Sequence, residues 1–322
     1  MPITSVDKDL EALTMTVTAD FPVPLRRLWD AYADPRQLER FWGPREWPAT
    51  FTRHDMFPGG RSAYVMTGPD GETSAGWWEF LAVTPPHSFE VLDGFAGPDG
   101  EPDRNMPTMR MAFSFEESAD GSRLLVRTFF NSADELEELL TMGMEEGLRS
   151  ALSQVDEVLH DPLPHSPARS QLLNDTQVRI SRVIAGSVED VWQAHRSPEL
   201  LRRWMLGPDG WTMPVCEVAE DPGDAYRFEW ESDEGEQRFG FTGEILESQP
   251  PHREVTTERM IGVEGSSTTN ELTLTPVDAG TLLNVVITYP DKELRDTVLG
   301  TGMVDGMETS YARLESEVLP HP

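Results

Sequence analysis

The sequence predicts a duplicated α+β fold, and three observations carry that prediction. Blocks of residues recur in one order at a nearly constant separation. Each copy opens with a strand and two short helices. Each closes, after several short strands, with a long amphipathic helix.

The repeat is visible first. Trp29, Pro35, Leu38 and Phe41 match Trp192, Pro198, Leu201 and Trp204 at a separation of 163. Trp47 and Pro58-Gly59 match Trp211 and Pro222-Gly223 at 164, and Pro85-Pro86-His87 matches Pro250-Pro251-His252 at 165. Met142 to Gly147 matches Thr301 to Gly306 at 159. The drop places a longer loop, Asp93 to Pro107, in the first copy, where loops tolerate added length. The predicted organisation is a first domain over 13–159, a proline-containing linker over 160–176 and a second domain over 177–319.

Within the first copy, Met15, Val17, Ala19 and Phe21 alternate with polar residues, which is the pattern of a half-buried strand. Val178 and Ile180 repeat it more weakly. Leu25, Leu28, Trp29 and Tyr32 then fall at helical spacing, as do Val188, Val191, Trp192 and His195, with Ser187 placed to cap the second set. Asp34-Pro35 and Ser197-Pro198 start a further short helix with proline in its first position. The middle of each copy reads as short strands joined by turns with no intervening helix, which implies an antiparallel sheet. The long last helix has its apolar stripe on Met144, Leu148, Leu152, Val155 and Leu159 in one copy. Met303, Met307, Tyr311, Leu314 and Val318 form the stripe in the other. Gly143, Gly147, Gly302 and Gly306 sit in these helices. A helical glycine costs about 1 kcal/mol against alanine, so close approach to a strand or a bound molecule is expected to compensate.

Composition excludes several functions. The 322 residues hold 26 Lys+Arg against 57 Asp+Glu, a net charge of −31, which repels nucleic-acid phosphate and anionic lipid. No apolar run spans a bilayer and no secretory signal opens the chain, so a cytoplasmic location is expected. The single cysteine, Cys216, reads as a buried inert thiol.

With these residues in place the chain resembles a known family. Leu28-Trp29-x5-Pro35-x2-Leu38-x2-Phe41-Trp42-Gly43-Pro44, Pro58-Gly59-Gly60, Thr84-Pro85-Pro86-His87 and Gly143-x3-Gly147-Leu148 resemble the SRPBCC superfamily (START-like, birch-pollen-allergen-like). The branch most resembled is named for the activator of heat-shock-protein-90 ATPase, homologue type. The second copy keeps the same blocks less completely, with Met205 at the Trp42 position and Gly223-Asp224 for the Gly-Gly turn. The resemblance implies two helix-grip domains, each a curved antiparallel sheet wrapped around the long C-terminal helix, with a cavity between the two. It implies a small apolar molecule as partner. The candidate lining is Trp42, Trp47, Tyr64, Trp78, Met109, Met111, Phe113, Met144, Leu148 and Leu152 in the first copy, and Met303, Met307 and Tyr311 in the second. The losses in the second copy point to unequal pockets, with the first as the working one.

No catalytic constellation, metal-ligand spacing, phosphate loop or cofactor motif is apparent in the sequence. His87 and His252 follow Pro-Pro and read as turn residues, His165 and His321 lie in proline-rich tails, and His54-Asp55 lacks an evident partner for general-base work. The expectation is therefore binding of an apolar molecule. The alternatives are a chaperone-associated protein, as the branch name suggests, and a cyclase-like or hydrolytic enzyme. A polar residue of shifted pKa deep in the cavity would favour the enzyme.

Overall fold

A computed structural model describes residues 3–97, 100–103, 105–106, 108–207, 209–265 and 267–319. Parts of the Asp93–Pro107 loop, Pro208 and His321 lie outside the described residues. The chain divides into two compact units, Met1–Leu163 and Pro164–Pro322.

The first unit begins with β1 (Ile3–Asp9) and β2 (Thr14–Phe21), followed by α1 (Leu25–Ala33) and α2 (Pro35–Leu38). Six strands follow: β3 (Ala49–His54), β4 (Arg61–Thr67), β5 (Thr73–Thr84), β6 (Ser88–Ala96), β7 (Thr108–Ser118) and β8 (Gly121–Phe129). The unit ends in α3 (Ala133–Thr141) and the long α4 (Met144–His160). All eight strands form one antiparallel sheet in the order β1-β2-β8-β7-β6-β5-β4-β3, curved around α4.

The second unit repeats the plan. It has β9 (Arg169–Leu172), β10 (Gln177–Ile184), α5 (Val188–Arg196), α6 (Pro198–Trp204), β11 (Trp211–Glu217) and β12 (Ala225–Ser232). Then come β13 (Arg238–Gln249), β14 (Arg253–Met260), β15 (Thr268–Val277), β16 (Gly280–Thr288), α7 (Lys292–Leu299) and α8 (Met303–Arg313). A π-helical turn, Leu314–Val318, continues α8. The strand order is the same read from the other end, β9-β10-β16-β15-β14-β13-β12-β11.

The short helices start where their caps are. The Asp34 carboxylate accepts from the Arg36 backbone N–H at 3.0 Å, and the Ser187 hydroxyl accepts from Asp190 N–H at 3.1 Å, each satisfying an amide that the helix leaves unpaired. Two of the edge strands, β1 and β9, escape sequence reading because they are mostly exposed and polar, so no alternation of apolar residues marks them. Arg169–Leu172 thus turns part of the expected linker into structure, pairing with β10 through Val178↔Leu172.

The first core is aromatic: Trp29, Tyr32, Phe41, Phe51, Trp78, Phe80, Phe89, Phe113 and Phe115 are all buried. Phe89 stacks on Phe113 at 4.3 Å, and Tyr32 meets Phe41 edge-on at 5.0 Å. In the second unit a charged pin fixes the long helix. The buried Arg182 guanidinium on β10 donates to Glu308 and to Glu315, at 2.8 Å each. The same carboxylates accept from the backbone N–H of Ala168 and Ala185, at 2.7 Å each. Removing one partner of such a pair leaves desolvated charge behind. The carboxylates are about a quarter exposed, which moderates the effect. Arg182→Met is therefore expected to destabilise the second unit by about 2–3 kcal/mol. Calorimetry of the full chain checks this, and an unchanged unfolding profile would show the pin to be dispensable.

Candidate functional site

A cavity of about 240 Å³ lies in the first unit between α4 and the sheet. Its floor comes from β4 to β8, through Tyr64, Met66, Ser74, Ala75, Gly76, Asp93, Gly94, Phe95, Met109, Met111 and Thr128. Its roof is the α3–α4 junction and the first turns of α4, from Leu139 through Met144 to Gly147, Leu148 and Ala151. Trp42-Gly43-Pro44 closes one side. Pro44 and Met142 are exposed and so mark the rim.

Small residues make this space. On β5, Gly76 pairs with Tyr64 of β4. A Cβ built on Gly76 would stand 2.3 Å from the Tyr64 ring, so only glycine lets that ring lie across the strand. On the roof, a Cβ built on Gly147 would meet nothing within 4 Å. The helical glycine is therefore not explained by close approach to a strand. It faces open space and lines the cavity.

Among the described lining residues the one carboxyl group is Asp93 on β6, only 8% exposed. The Trp78 indole N–H donates to its Oδ1 at 2.7 Å. Tyr64 also favours the ionised form of this carboxyl, and Trp42 meets the Tyr64 ring edge-on at 6.2 Å. Burial outweighs Trp78 and Tyr64 and pushes the Asp93 pKa up to about 7. Burial and the neighbouring carboxylate raise Tyr64 well above the usual phenol value, so it stays protonated. Thr128 on β8 is 1% exposed, and its hydroxyl has no hydrogen-bond partner. Across β7, Asp93 pairs with Met109 and Thr128 pairs with Met111, so two methionines separate the two polar groups.

Of the residues singled out from sequence, Trp42, Tyr64, Met109, Met111, Met144 and Leu148 come together on this cavity. Trp78 stands behind it, holding Asp93. Phe113 and Leu152 belong to the packed core, and half-buried Trp47 lies against Gly68. In the second unit Met303 and Met307 pack half-buried on the core, while buried Tyr311 stacks on Trp204 at 6.0 Å. Sequence reading missed Asp93, because it begins a Gly- and Pro-rich stretch that reads as loop. It also missed Gly76, Gly147 as a lining residue, and Thr128.

The two copies differ at the cavity. The pairs Tyr64↔Gly76 and Met66↔Ser74 of the first unit correspond in register to Phe228↔Phe241 and Trp230↔Phe239 of the second. Trp230 stacks on Phe239 at 5.1 Å and meets Phe241 edge-on at 6.0 Å. Rings thus occupy the strand positions that are small or flexible in the first copy. A carboxyl recurs at the Asp93 position as half-buried Glu258, raised by desolvation and hydrogen-bonded by Asn270 and Tyr226, while Gly243 replaces Trp78.

The other groups considered are structural. Both ring nitrogens of buried His54 are engaged, with Ser62 Oγ at 2.8 Å and the Tyr32 carbonyl at 3.0 Å. Asp55 pairs with Arg53. His87 and His252 shape turns through their backbones, accepting from Phe115 and Leu274 N–H at 2.8 Å each. Cys216 is buried, and that burial pushes its thiol pKa up. Among the described residues no group of three or more His, Cys, Asp or Glu is placed to hold a metal ion, and no helix is long and apolar enough to cross a membrane.

The shifted carboxyl has a consequence for stability. The native state binds the Asp93 proton more tightly than the unfolded chain does, whose ordinary value is 3.8. The associated stability is complete below that value and is lost as pH rises through about 7. The loss amounts to on the order of 4 kcal/mol. Asp93→Asn removes it, so denaturation midpoints of variant and parent are expected to diverge in the variant's favour between pH 4 and pH 8. A difference independent of pH would count against a buried titrating carboxyl.

Comparison with known proteins follows the same division of the chain. The family model described as Activator of Hsp90 ATPase homolog 1-like protein matches residues 22–160 and again residues 185–318. A crystal structure of a Mycobacterium smegmatis protein is 47% identical, covering 51% of this chain and 100% of that one, with a TM-score of 0.47. A solution structure of an Arthrobacter aurescens protein is 42% identical, covering 49% of this chain and 92% of that one, with a TM-score of 0.47. No curated protein matches the chain. Two matches that together span most of its length show that the chain belongs to the Activator of Hsp90 ATPase homolog 1-like family, once in each half.

Proposed function

We propose that the first domain binds a small apolar molecule between α4 and the sheet. The cavity of about 240 Å³ carries this reading, with walls of methionine, leucine, tryptophan and glycine. Its volume falls just below the roughly 300–1,000 Å³ of ordinary ligand pockets, which suits a compact ligand rather than a long lipid. Methionines at 66, 109, 111, 142 and 144 supply an adaptable lining. The rings at 230, 239 and 241 support assigning the binding role to the first domain.

Asp93 gives the enzymatic alternative one supporting observation, a carboxyl of near-neutral pKa in an apolar cavity. Tyr64, the other titratable side chain on the wall, holds its proton too tightly to exchange it near neutrality. Binding is thus the better supported role. The family's description names an activator of the Hsp90 ATPase. For this chain, that role predicts stimulated ATP turnover when it is added to the chaperone.

Native mass spectrometry of protein purified from its own host tests the binding reading. A retained small molecule is expected, and it should be absent from a Gly147→Leu variant, whose side chain enters the open space. Bare polypeptide in both samples would overturn the reading. Gly147→Ala, by contrast, should stabilise the first domain by about 1 kcal/mol through helix propensity, since its methyl group meets no neighbour. A thermal melt measures this, and destabilisation would mean that the glycine is required by packing.

A further inference from the structure

The cavity wall is chemically one-sided. Asp93 is its carboxyl, and none of the described lining residues is Lys, Arg or His. The Trp78 indole that donates to Asp93 and the neighbouring Tyr64 are neutral, so they orient the carboxylate without cancelling its charge. A carboxylate has about four acceptor positions, and these neighbours leave acceptor capacity for a ligand. Aromatic rings crowd the carboxyl: Trp42 meets Trp78 edge-on at 4.6 Å and Tyr64 at 6.2 Å. A ring face attracts a cation. The chain's net charge of −31 raises the local concentration of cations and depletes anions. An anionic ligand would set two like charges in one apolar cavity, whereas a cationic one supplies the counter-charge that the wall lacks.

Resting on the binding function proposed above, we propose that the ligand is a compact hydrophobic amine, its ammonium group on the Asp93 carboxylate among Trp42 and Tyr64 and its apolar body over Met109 and Met111 under α4. Binding is then linked to pH. An ammonium partner requires ionised Asp93 and a protonated amine, so affinity is highest between about 7 and the amine's own pKa, near 10 for an alkylamine. It falls as pH drops below 7, and complex formation near neutrality releases protons from Asp93. The groups facing Asp93 do not compete for this role. β4 contributes Tyr64, which stays protonated, β5 contributes Gly76 and Trp78, and β7 contributes Met109 and Met111. Thr128 on β8 and the first turns of α4, with Met144, Gly147 and Leu148, carry no charge.

Isothermal titration of the full chain with 3-phenylpropylamine, 3-phenylpropanol and 3-phenylpropanoate tests the proposal. At pH 8 the amine is expected to bind at least tenfold more tightly than the alcohol, with no binding of the carboxylate. At pH 5.5 the preference for the amine should disappear. At pH 7, titrations in buffers of different ionisation enthalpy should show proton release. In Asp93→Asn the amine should lose its advantage over the alcohol. An alcohol that binds as well as the amine to the parent protein at pH 8, or a preference that survives in Asp93→Asn, overturns the amine assignment and leaves the apolar pocket standing. Failure of all three probes to bind the parent protein overturns the pocket and the amine together. The selectivity and pH profile of the parent decide the question even if the variant does not fold.

Discussion

One helix has to cover the inner face of an eight-stranded sheet, and the rest of each domain follows from that constraint. The 17 residues of α4 make a rod about 25 Å long and roughly 10 Å across. Eight strands at about 4.8 Å spacing span some 34 Å. A flat sheet would leave much of its apolar face in water, so the sheet curves and large side chains bridge the remainder. In the first domain Trp29, Tyr32, Phe41, Phe80, Phe89, Phe113 and Phe115 do this toward one end, near α1 and α2. Toward the start of α4 the lining includes Ser74, Gly76 and Gly147, which do not bridge the gap. The cavity is where filling stops.

The polar groups beside it fit this account. Burying a carboxyl is unfavourable unless it is hydrogen-bonded or neutralised. Asp93 is held by the Trp78 indole N–H, and burial still pushes its pKa up, so neutral neighbours only partly offset the loss of water. Thr128 is buried with its hydroxyl unpaired. An unmet polar group of this kind costs about 1–3 kcal/mol. Both groups border the same space, so whatever enters it meets an acidic group on one side and a hydroxyl on the other.

Much of the architecture was legible because it rests on periodicity. The stripe on Met144, Leu148 and Leu152, the alternation from Met15 to Phe21, the cap at Ser187 and the helix starts at Asp34-Pro35 and Ser197-Pro198 are local signals, and the folded chain uses each as written. The edge strands β1 and β9 were not legible, since an exposed edge lacks a buried face to imprint a pattern on the sequence. At the site, large apolar residues could be anticipated, and six of them meet at the cavity. Of the residues that create the space, only Gly147 carried a signal, as a glycine inside a helix; Gly76 did not, because absence of a side chain leaves no hydrophobic signal. Gly76 reads as a strand weakness and Gly147 as a helix weakness until the opposing surface is seen. Asp93 looked like a loop residue because Gly94 and the glycines and prolines after it dominate the local composition.

The duplication separates the two conditions for a cavity. Both copies keep the helical glycine, Gly147 in one and Gly306 in the other, and a Cβ at either position would meet nothing within 4 Å. Both keep a carboxyl at the same register position, Asp93 and Glu258. They part on the sheet, where Met66, Ser74 and Gly76 give way to Trp230, Phe239 and Phe241. A gap in the roof is therefore not sufficient to set the character of the space beneath it, because three rings can stand on the sheet in place of small residues. The carboxyl changes with the floor: against Trp78 it is anchored by an indole N–H, and against Gly243 it turns to Asn270 and Tyr226 instead. Packing on the sheet thus sets both the room available and the electrostatic character of the wall, and divergence of a few strand residues is enough to give two copies of one fold different chemistry.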